Sequence, residues 1–347
     1  MRIIFFGTPE FAVPSLQALI ESGEEVVAVV TQPDKVKGRG HKLSRPPIKE
    51  LAISRGIPIM QPSGIRTPEF FDEIARPAPD IIVVVAYGRL IPAALLKLPP
   101  MGCVNVHASL LPQYRGAAPI QWALINGEEK TGITTMLMDE GLDTGAVLLK
   151  EEVAIHEEDN AYTLGRRLSQ VGASLLIKTL KAIETKMIIP APQSGEASYA
   201  PPLKKENGKI NWALSAREIS NLIMGTFPWP GAYCYLHGEK INIIKAKVVP
   251  HNNIKEFINK KTSPSPSSPP LRGGDEGEGG ICGFTYELLN KGTVGRIGQI
   301  SGSDLLVITG SGILAISEVK PAGKNIMSAS AFMHGRHLKE GAIFDAV

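Results

Sequence analysis

Two polar side chains that could act on a carbonyl group lie two residues apart in the first half of the chain. Asn105 and His107 belong to the apolar stretch Val104–His107, which predicts a buried strand. Because side chains alternate across a strand, the amide and the imidazole lie on the same face. A turn and a predicted helix over 117–126 follow. Both polar groups therefore lie at the carboxyl end of a strand, where open α/β sheets bind ligands.

An acid completes a possible catalytic set. Asp143 follows a second apolar run and lies in a predicted turn. Asn105 and His107 could donate hydrogen bonds to a carbonyl oxygen that becomes negative during attack, each contributing about 10²–10³ in rate. Asp143 could orient His107 and relay the proton that an attacking amine loses. The spacing alone does not place Asp143 beside His107, and a single histidine at a strand end is commonly a structural polar residue.

Composition limits the class of protein. The chain has 347 residues, which predicts two domains, with 43% hydrophobic and 20% charged residues, as in ordinary globular proteins. Its longest apolar run, over 81–87, is too short to cross a bilayer, and the first residues lack a signal-peptide pattern. We therefore expect a cytoplasmic protein. Three widely spaced cysteines argue against a disulfide framework or a zinc site, and Cys103 is expected to be a small core residue.

Four apolar segments with helical segments between them predict a doubly wound, mostly parallel α/β sheet. A glycine-rich phosphate loop is incomplete after the first segment, because Gly7 is not followed by the second and third glycines of the dinucleotide pattern. This argues against a nicotinamide dehydrogenase. The predicted strands are Arg2–Phe6, Val26–Thr31, Ile81–Ala86 and Val104–His107.

The sequence predicts a catalytic domain over 1–186, a proline-rich linker over 187–208 and a second domain over 209–347. The first domain closes with a long helix that Asp159 is expected to cap. Ser215 and Glu218 form a capping-box pattern in the second. Short strands between glycine turns then predict a small OB-type β-barrel, interrupted by a low-complexity insertion at about 255–280. These strands are Ala232–Leu236, Lys240–Val249, Gly292–Gln299, Leu305–Thr309 and Ile313–Val319.

Three motifs in this order resemble the folate-dependent formyltransferase family. The first runs from Asn105 and His107 through Ser109–Pro112 to the Tyr114–Gly116 tripeptide, the second is Thr131–Thr134, and the third is Asp139–Gly145. The resemblance implies a Rossmann-like formyltransferase domain and 10-formyltetrahydrofolate as formyl donor. It also implies that Asn105, His107 and Asp143 are the catalytic residues. No metal is required for this chemistry.

The same resemblance implies where the folate binds. The segment after the third strand, which contains Leu90 and Ile91, matches the family segment whose backbone borders the pterin. The turn that contains Asp139 and Leu142 is expected to form the other wall. The remaining folate-binding residues predicted from the motif are Ser109, Leu110, Leu111 and Pro112.

A basic segment over 32–45 indicates the second substrate. It contains five basic residues and one acidic residue, and glycines flank Arg39. Such a loop can bring a guanidinium to a phosphate or an unpaired base. Family members that formylate methionine on initiator tRNA have a similar loop, so the resemblance implies initiator methionyl-tRNA as partner. The predicted tRNA-binding residues are Arg39, Lys35, Lys37 and Lys42.

Other functions remain open from the sequence. The same chemistry could act on an amino sugar nucleotide or another small amine, in which case the basic loop and the barrel would be dispensable. In a different class, the chain could be an RNA-binding module on an inactive enzymatic fold, which would not bind folate. No membrane association and no obligate protein partner are predicted.

We predict that Arg39→Ala impairs use of tRNA but leaves the affinity for folate unchanged, because the loop is expected to contact only the nucleic acid. The Michaelis constant for charged tRNA and the dissociation constant for folate, measured separately, test this. A loss of folate affinity with normal tRNA use would contradict the assignment.

Overall fold

The computed structural model describes residues 1–37, 42–250, 294–301, 304–338 and 342–345. The chain forms two compact units, one of Met1–Ala123 with Glu128–Pro202 and the other of Leu124–Gly127 with Leu203–Val347. Among the helices in these described ranges, none combines the length and the apolar character needed to cross a membrane. The predicted insertion at 255–280 lies outside the described residues.

Strands and helices alternate along the first unit, and labels number the described elements in chain order. The strands are β1 Arg2–Gly7, β2 Glu25–Val30, β3 Lys35–Lys37, β4 Lys42–Ser44, β5 Ile59–Met60, β6 Ile81–Val85, β7 Cys103–His107, β8 Arg115–Gly116, β9 Lys130–Leu137, β10 Ala146–Ala154 and β11 Tyr199–Ala200. The helices are α1 Val13–Glu21, α2 Pro47–Ser54, α3 Pro68–Ala75, α4 Ala93–Leu96, α5 Pro119–Ile125 and α6 Ala161–Glu184.

A seven-stranded sheet in the order β10-β9-β7-β6-β1-β2-β5 forms the centre of this unit. The five strands from β7 to β5 are parallel, whereas β9 runs antiparallel to both β7 and β10. Ile4 and Phe6 of β1 pack in one cluster with Phe70 and Ile74 of α3. Ile3 and its neighbours at odd positions point the other way and are also fully buried, so both faces of the sheet are covered.

The strand order reverses direction at β1, which lies between β2 and β6. After β1 the chain moves to one side of the sheet, and the later strands β6 and β7 add to the other side. Such a switch point leaves a crevice at the carboxyl ends of the strands, because the connecting segments leave in opposite directions. The end of β7, where Asn105 and His107 lie, is beside this crevice.

The long helix α6 begins one residue later than predicted. The Asn160 side chain accepts hydrogen bonds from the N–H groups of Tyr162 and Thr163, and the Thr163 hydroxyl accepts one from the Asn160 N–H. The prediction that Asp159 is the cap is therefore wrong. Its carboxylate instead accepts hydrogen bonds from the His156 N–H and from Arg167, whose Nη2 lies 2.6 Å from Oδ2.

The described part of the second unit is an antiparallel sheet with helices packed on it. Ser215 caps its first helix through the predicted capping box with Glu218, and the two hydrogen bonds from Ser215 lower the pKa of the Glu218 carboxyl. The predicted fold class, a mostly parallel α/β sheet followed by a small β domain, is confirmed. The elements are α7 Ala216–Thr226, β12 Tyr233–Leu236, β13 Glu239–Val249, β14 Ile297–Ser301, β15 Asp304–Ile308, β16 Ile313–Pro321, β17 Met327–Ser328 and α8 Ala329–Gly335.

The segment predicted as a linker is more structured than expected. Its residues up to Pro202 belong to the first unit, where β11 pairs in parallel with β8 and Ala191 pairs with Val147. The absence of apolar periodicity gave no sign of this, because the segment is held through backbone hydrogen bonds rather than through a buried face. Residues up to Pro202 of the predicted linker over 187–208 thus pack as part of the first unit.

We predict that Asn160→Ala lowers the free energy of opening of the first turns of α6 by about 1 kcal/mol, because two helix N–H groups lose their acceptor. Native-state hydrogen exchange of the α6 amides measures this change. Asn160→Ser keeps a capping oxygen and should recover most of it, while the exposed Glu158→Ala is the neutral control. Equal effects of all three variants would contradict the cap assignment.

Candidate active site

A cavity of about 600 Å³ lies at the carboxyl ends of β1, β6 and β7. Asn105, His107 and Asp143 all line it. The first two come from the end of β7, as the strand alternation predicts, and Asp143 comes from the turn between β9 and β10. Because β9 pairs with β7 in antiparallel register, with Leu137 opposite Val104, β9 ends beside the start of β7. The turn after β9 then folds back, so that Asp143 reaches His107 near the carboxyl end of β7. The tertiary structure therefore brings the three side chains together.

A backbone carbonyl fixes the orientation of His107. Its side chain is only 6% exposed, and Nε2 lies 2.9 Å from the carbonyl oxygen of Tyr114. A carbonyl oxygen can only accept, so Nε2 carries the hydrogen and donates it. In the neutral imidazole Nδ1 is then unprotonated. This nitrogen lies 3.7 Å from Oδ2 of Asp143.

Asp143 is held by a backbone donor and by an unusual backbone conformation. Its Oδ2 accepts a hydrogen bond of 2.8 Å from the Gly116 N–H, while its Oδ1 lies 3.5 Å from Nδ2 of Asn105. The residue has φ of 52°, a left-handed conformation that aspartate adopts more readily than most residues. The carboxylate thus lies close to both the Asn105 amide and the His107 imidazole in the lining of the cavity.

Two acceptor atoms face one another at the site. Nδ1 of neutral His107 and the carboxylate of Asp143 are both acceptors, and at 3.7 Å they make no hydrogen bond with each other. A donor between them, such as the N–H of an attacking amine or a water, would satisfy both. The long contact of Asn105 with Asp143 uses one of the two N–H bonds of its Nδ2. The second can donate to an oxygen of a ligand.

Four of the predicted folate-binding residues line the same cavity: Leu90 and Ile91 from the segment after β6, and Asp139 and Leu142 from the turn after β9. Leu90 is 62% exposed and Leu142 is 49% exposed. Exposed leucines in the lining of a crevice can pack against a flat ring. The Asp139 carboxylate closes its own turn by accepting hydrogen bonds from the Gly141 N–H and the Thr144 hydroxyl.

The other four predicted folate-binding residues do not line this cavity. Ser109, Leu111 and Pro112 are buried beside it, and Leu110 is half-buried. Thr134 joins this segment to β9, since its hydroxyl donates to the Ser109 carbonyl and accepts from the Leu111 N–H. The segment Ser109–Pro112 shapes the turn that follows β7, and direct contact with a folate stays a prediction.

Two short strands of the basic segment, β3 and β4, form an antiparallel pair, called the β3–β4 hairpin from here on. Strands β3 and β4 pair through Lys35 with Ser44 and through Lys37 with Lys42, and the Lys35 ammonium donates to Gln32 at 3.0 Å. The predicted residue Arg39 lies outside the described residues. Asp34, the acid of this segment, accepts hydrogen bonds from Gln61 and Lys49 that lower the pKa of its carboxyl. The Asp34 carboxylate is therefore paired with Lys49 and Gln61, which lie outside the two hairpin strands.

Cys103 is not available as a nucleophile. It is 1% exposed in β7, and burial raises the pKa of its thiol to about 12. The prediction that it is a small core residue is confirmed. In the part of the chain that the structure describes, no group of three or more His, Cys, Asp or Glu side chains is placed to hold a metal ion.

One contact of the site has no signal in the sequence. Gln193, in the segment predicted as a linker, donates from Nε2 to the carbonyl oxygens of Asp143 and Gly145 and accepts from the Arg115 guanidinium. A single glutamine in a proline-rich segment has no periodicity that would single it out. The tertiary fold alone brings it to the turn that carries Asp143.

Two family models match the chain. The formyl transferase model matches residues 1–180, and the formyl transferase C-terminal domain model matches residues 202–337. The chain is 47% identical over 339 residues to a protein of Thermodesulfovibrio yellowstonii named methionyl-tRNA formyltransferase, covering 98% of this chain and 97% of that protein. It is 46% identical over 345 residues to one of the same name from Caldanaerobacter subterraneus subsp. tengcongensis, covering 99% of each.

Among solved structures, the fold is similar to HypX of Aquifex aeolicus in complex with tetrahydrofolic acid, with a TM-score of 0.60 and 16% sequence identity. The similarity covers 100% of this chain and 49% of that one. At this identity the likeness shows a shared fold.

We predict that ¹⁵N NMR of the neutral His107 ring shows the tautomer with the hydrogen on Nε2, because the Tyr114 carbonyl requires a donor there. The His107→Gln variant identifies the signal by removing it. Observation of the Nδ1–H tautomer would contradict the assigned geometry.

Proposed function

The chain belongs to the formyl transferase family, and we propose that it transfers the formyl group of 10-formyltetrahydrofolate to the α-amino group of methionyl initiator tRNA. The observation that carries this proposal is the convergence of Asn105, His107 and Asp143 on one cavity. An amide donor, an imidazole and a carboxylate around a single point suit attack of an amine on a formyl carbon.

The cavity suits the formyl donor in size and lining. A volume of about 600 Å³ is in the range of small-molecule sites. Leu90 and Leu142 would cover the faces of the pterin ring, and backbone groups of the segment after β6 would pair with its polar edge. The formyl group would then lie toward the end of β7, where Asn105 is.

The expected role of His107 as a donor to the carbonyl oxygen is corrected, because its Nε2–H is used by the Tyr114 carbonyl and its Nδ1 is an acceptor. In the proposed reaction Asn105 is the donor, and His107 and Asp143 accept the proton. As the amine nitrogen bonds to the formyl carbon, the second N–H of Asn105 donates to the formyl oxygen, on which negative charge develops. The amine loses a proton, which His107 Nδ1 and the Asp143 carboxylate accept between them. The bond from the formyl carbon to the folate nitrogen then breaks, and the proton passes to that nitrogen. α-Amino groups titrate near ~7.7–8.0, so a fraction is neutral at pH 7 without assistance.

Two observations support tRNA as the formyl acceptor: the names of the relatives and the positive charge of parts of the chain. The relatives named methionyl-tRNA formyltransferase match over nearly the full length, which includes the second unit. The stretch 204–247 holds seven basic and three acidic residues, and the β3–β4 hairpin is also basic. Positive charge on these parts favours an RNA backbone and predicts binding that weakens with salt. Since charged tRNA is used in translation, we also propose a cytoplasmic location. An amino sugar nucleotide is the alternative acceptor.

The decisive experiment incubates the protein with labelled 10-formyltetrahydrofolate and charged initiator tRNA, charged elongator tRNA or an amino sugar nucleotide. We predict that label enters only the initiator methionyl-tRNA. Asn105→Ala and His107→Ala should each lower kcat by about 10²–10³ with little change in tRNA binding, because each removes a group that acts on the reacting atoms.

The exposed His156→Ala provides a matched control and should retain full activity. Label on the sugar nucleotide alone would favour the alternative acceptor. Unchanged kcat in the Asn105 and His107 variants of an active protein would overturn the assignment of the site.

A further inference from the structure

We propose that residues 191–201, called the strap from here on, are a positioning part of the active site. In this proposal Gln193 positions Asp143 and Ser198 positions His107, although neither strap residue contacts substrate. The inference rests on the proposed function for its kinetic test and on the structure alone for its geometry. It assigns a catalytic consequence to a segment that the sequence presents as a connection between domains.

The strap is tied to the loop after β7 by its backbone. The Arg115 N–H donates to the Ser198 carbonyl at 2.8 Å, and the Ala118 N–H donates to the Ala200 carbonyl at 3.1 Å. Ser198 also donates its own N–H to the Pro112 carbonyl at 3.3 Å. This loop carries both the carbonyl that orients His107 and the N–H that holds Asp143. A displacement of the strap would therefore reach both catalytic side chains.

Gln193 uses every hydrogen-bonding position of its amide. Its Nε2 donates to the carbonyl oxygens of Asp143 and Gly145, at 2.8 and 2.9 Å, and its Oε1 accepts from Nε and Nη2 of Arg115, at 3.1 and 2.7 Å. It thereby joins the turn that carries the catalytic carboxylate to the loop that carries the Gly116 N–H. Because Asp143 is in a left-handed conformation of higher energy, fixing its carbonyl stabilises the conformation that directs the carboxylate into the cavity.

Ser198 acts on His107 through Tyr114. The Ser198 hydroxyl accepts a hydrogen bond of 2.8 Å from the Tyr114 N–H, and the carbonyl of the same Tyr114 accepts from His107 Nε2 at 2.9 Å. Tyr114 has φ of 58°, which few tyrosines adopt. The hydroxyl satisfies the Tyr114 N–H in this conformation. Since the carbonyl direction depends on the backbone angles of Tyr114, the serine contributes to the orientation of the imidazole.

The approach of the strap to the loop leaves no room for a side chain at Gly116. A Cβ atom there would lie 2.7 Å from the Ala200 carbonyl oxygen, and φ of 122° is accessible mainly to glycine. The same glycine donates its N–H to Asp143 Oδ2. Close packing of the strap and placement of the carboxylate thus depend on one residue.

The first test uses Gln193→Glu, which keeps the shape and the acceptor for Arg115 but sets a carboxylate oxygen against the carbonyls of Asp143 and Gly145. We expect kcat for formylation to fall about 10–100-fold, as for sub-ångström to ångström displacements of catalytic groups, with KM for folate and tRNA within about threefold of the wild-type values. Wild-type kcat in this variant would overturn the role of Gln193.

Ser198→Ala removes the acceptor for the Tyr114 N–H and should also lower kcat without a change in KM. Ser198→Thr retains a hydroxyl and should restore much of the activity. Ser194→Ala, on the same strap and exposed, is the matched control and should behave as wild type. Equal loss in Ser198→Ala and Ser194→Ala would contradict a specific role.

Double variants separate positioning from general stability. If Gln193 acts through Asp143, Gln193→Glu should change kcat by less than about threefold in an Asp143→Ala background, because the group it positions is already absent. Ser198→Ala should likewise have little effect in a His107→Ala background. If the fall in kcat of each double variant equals the product of the falls in its two single variants, the strap residue has a structural role and the proposal is contradicted.

Hydrogen exchange of the peptide over 112–118 tests the geometry without activity. Exchange should be faster in Gln193→Glu and Ser198→Ala by about fivefold or more, and unchanged in Ser194→Ala. If the wild-type protein formylates no tRNA but exchange rises as expected, the proposed function fails and the geometric role of the strap remains. If the wild-type protein is active and both strap variants retain wild-type kcat, the positioning proposal fails while the function stands.

Discussion

The active site depends on the hydrogen bond from His107 Nε2 to the Tyr114 carbonyl. This bond decides which imidazole nitrogen carries the hydrogen, and so it leaves the acceptor nitrogen Nδ1 facing Asp143. The other tautomer, with the hydrogen on Nδ1, would set a donor against the carboxylate, and the two groups would then satisfy each other rather than a substrate. The chemistry proposed for the cavity follows from a backbone carbonyl that belongs to neither catalytic residue.

The sheet provides the rigid frame for this arrangement. Parallel strands β1, β6 and β7 end at one edge of the sheet, whereas the antiparallel strand β9 ends beside the start of β7. The turn after β9 folds back from there and brings Asp143 to His107 and to the Gly116 N–H. The side chains of β1 and β6 are buried almost throughout, which limits movement of the strand ends. The turns that carry Tyr114 and Asp143 have left-handed backbone conformations, and their hydrogen bonds to β11 and its neighbours offset that cost.

Sequence patterns that arise from local geometry were sufficient for much of the fold. Continuous apolar segments predicted β1, β2, β6 and β7 within one or two residues, and the capping box of Ser215 with Glu218 was predicted as it occurs. The sequence predicts Asp159 as the cap of α6, whereas Asn160 is the cap in the structure. Both residue types cap helices, and the Asp159 carboxylate is instead paired with Arg167. That pairing partner lies two turns along the helix.

The sequence by itself determined that Asn105 and His107 share a face, since alternation along a strand needs only the local backbone. It also determined the apolar strands and the positions of the turns. The tertiary structure alone decided that Asp143 lies 3.7 Å from His107 and that Gln193 and Ser198 hydrogen-bond to the turns that carry Asp143 and Tyr114. These contacts join residues 36 to 84 positions apart through a few polar atoms, which leave no periodic pattern in the sequence.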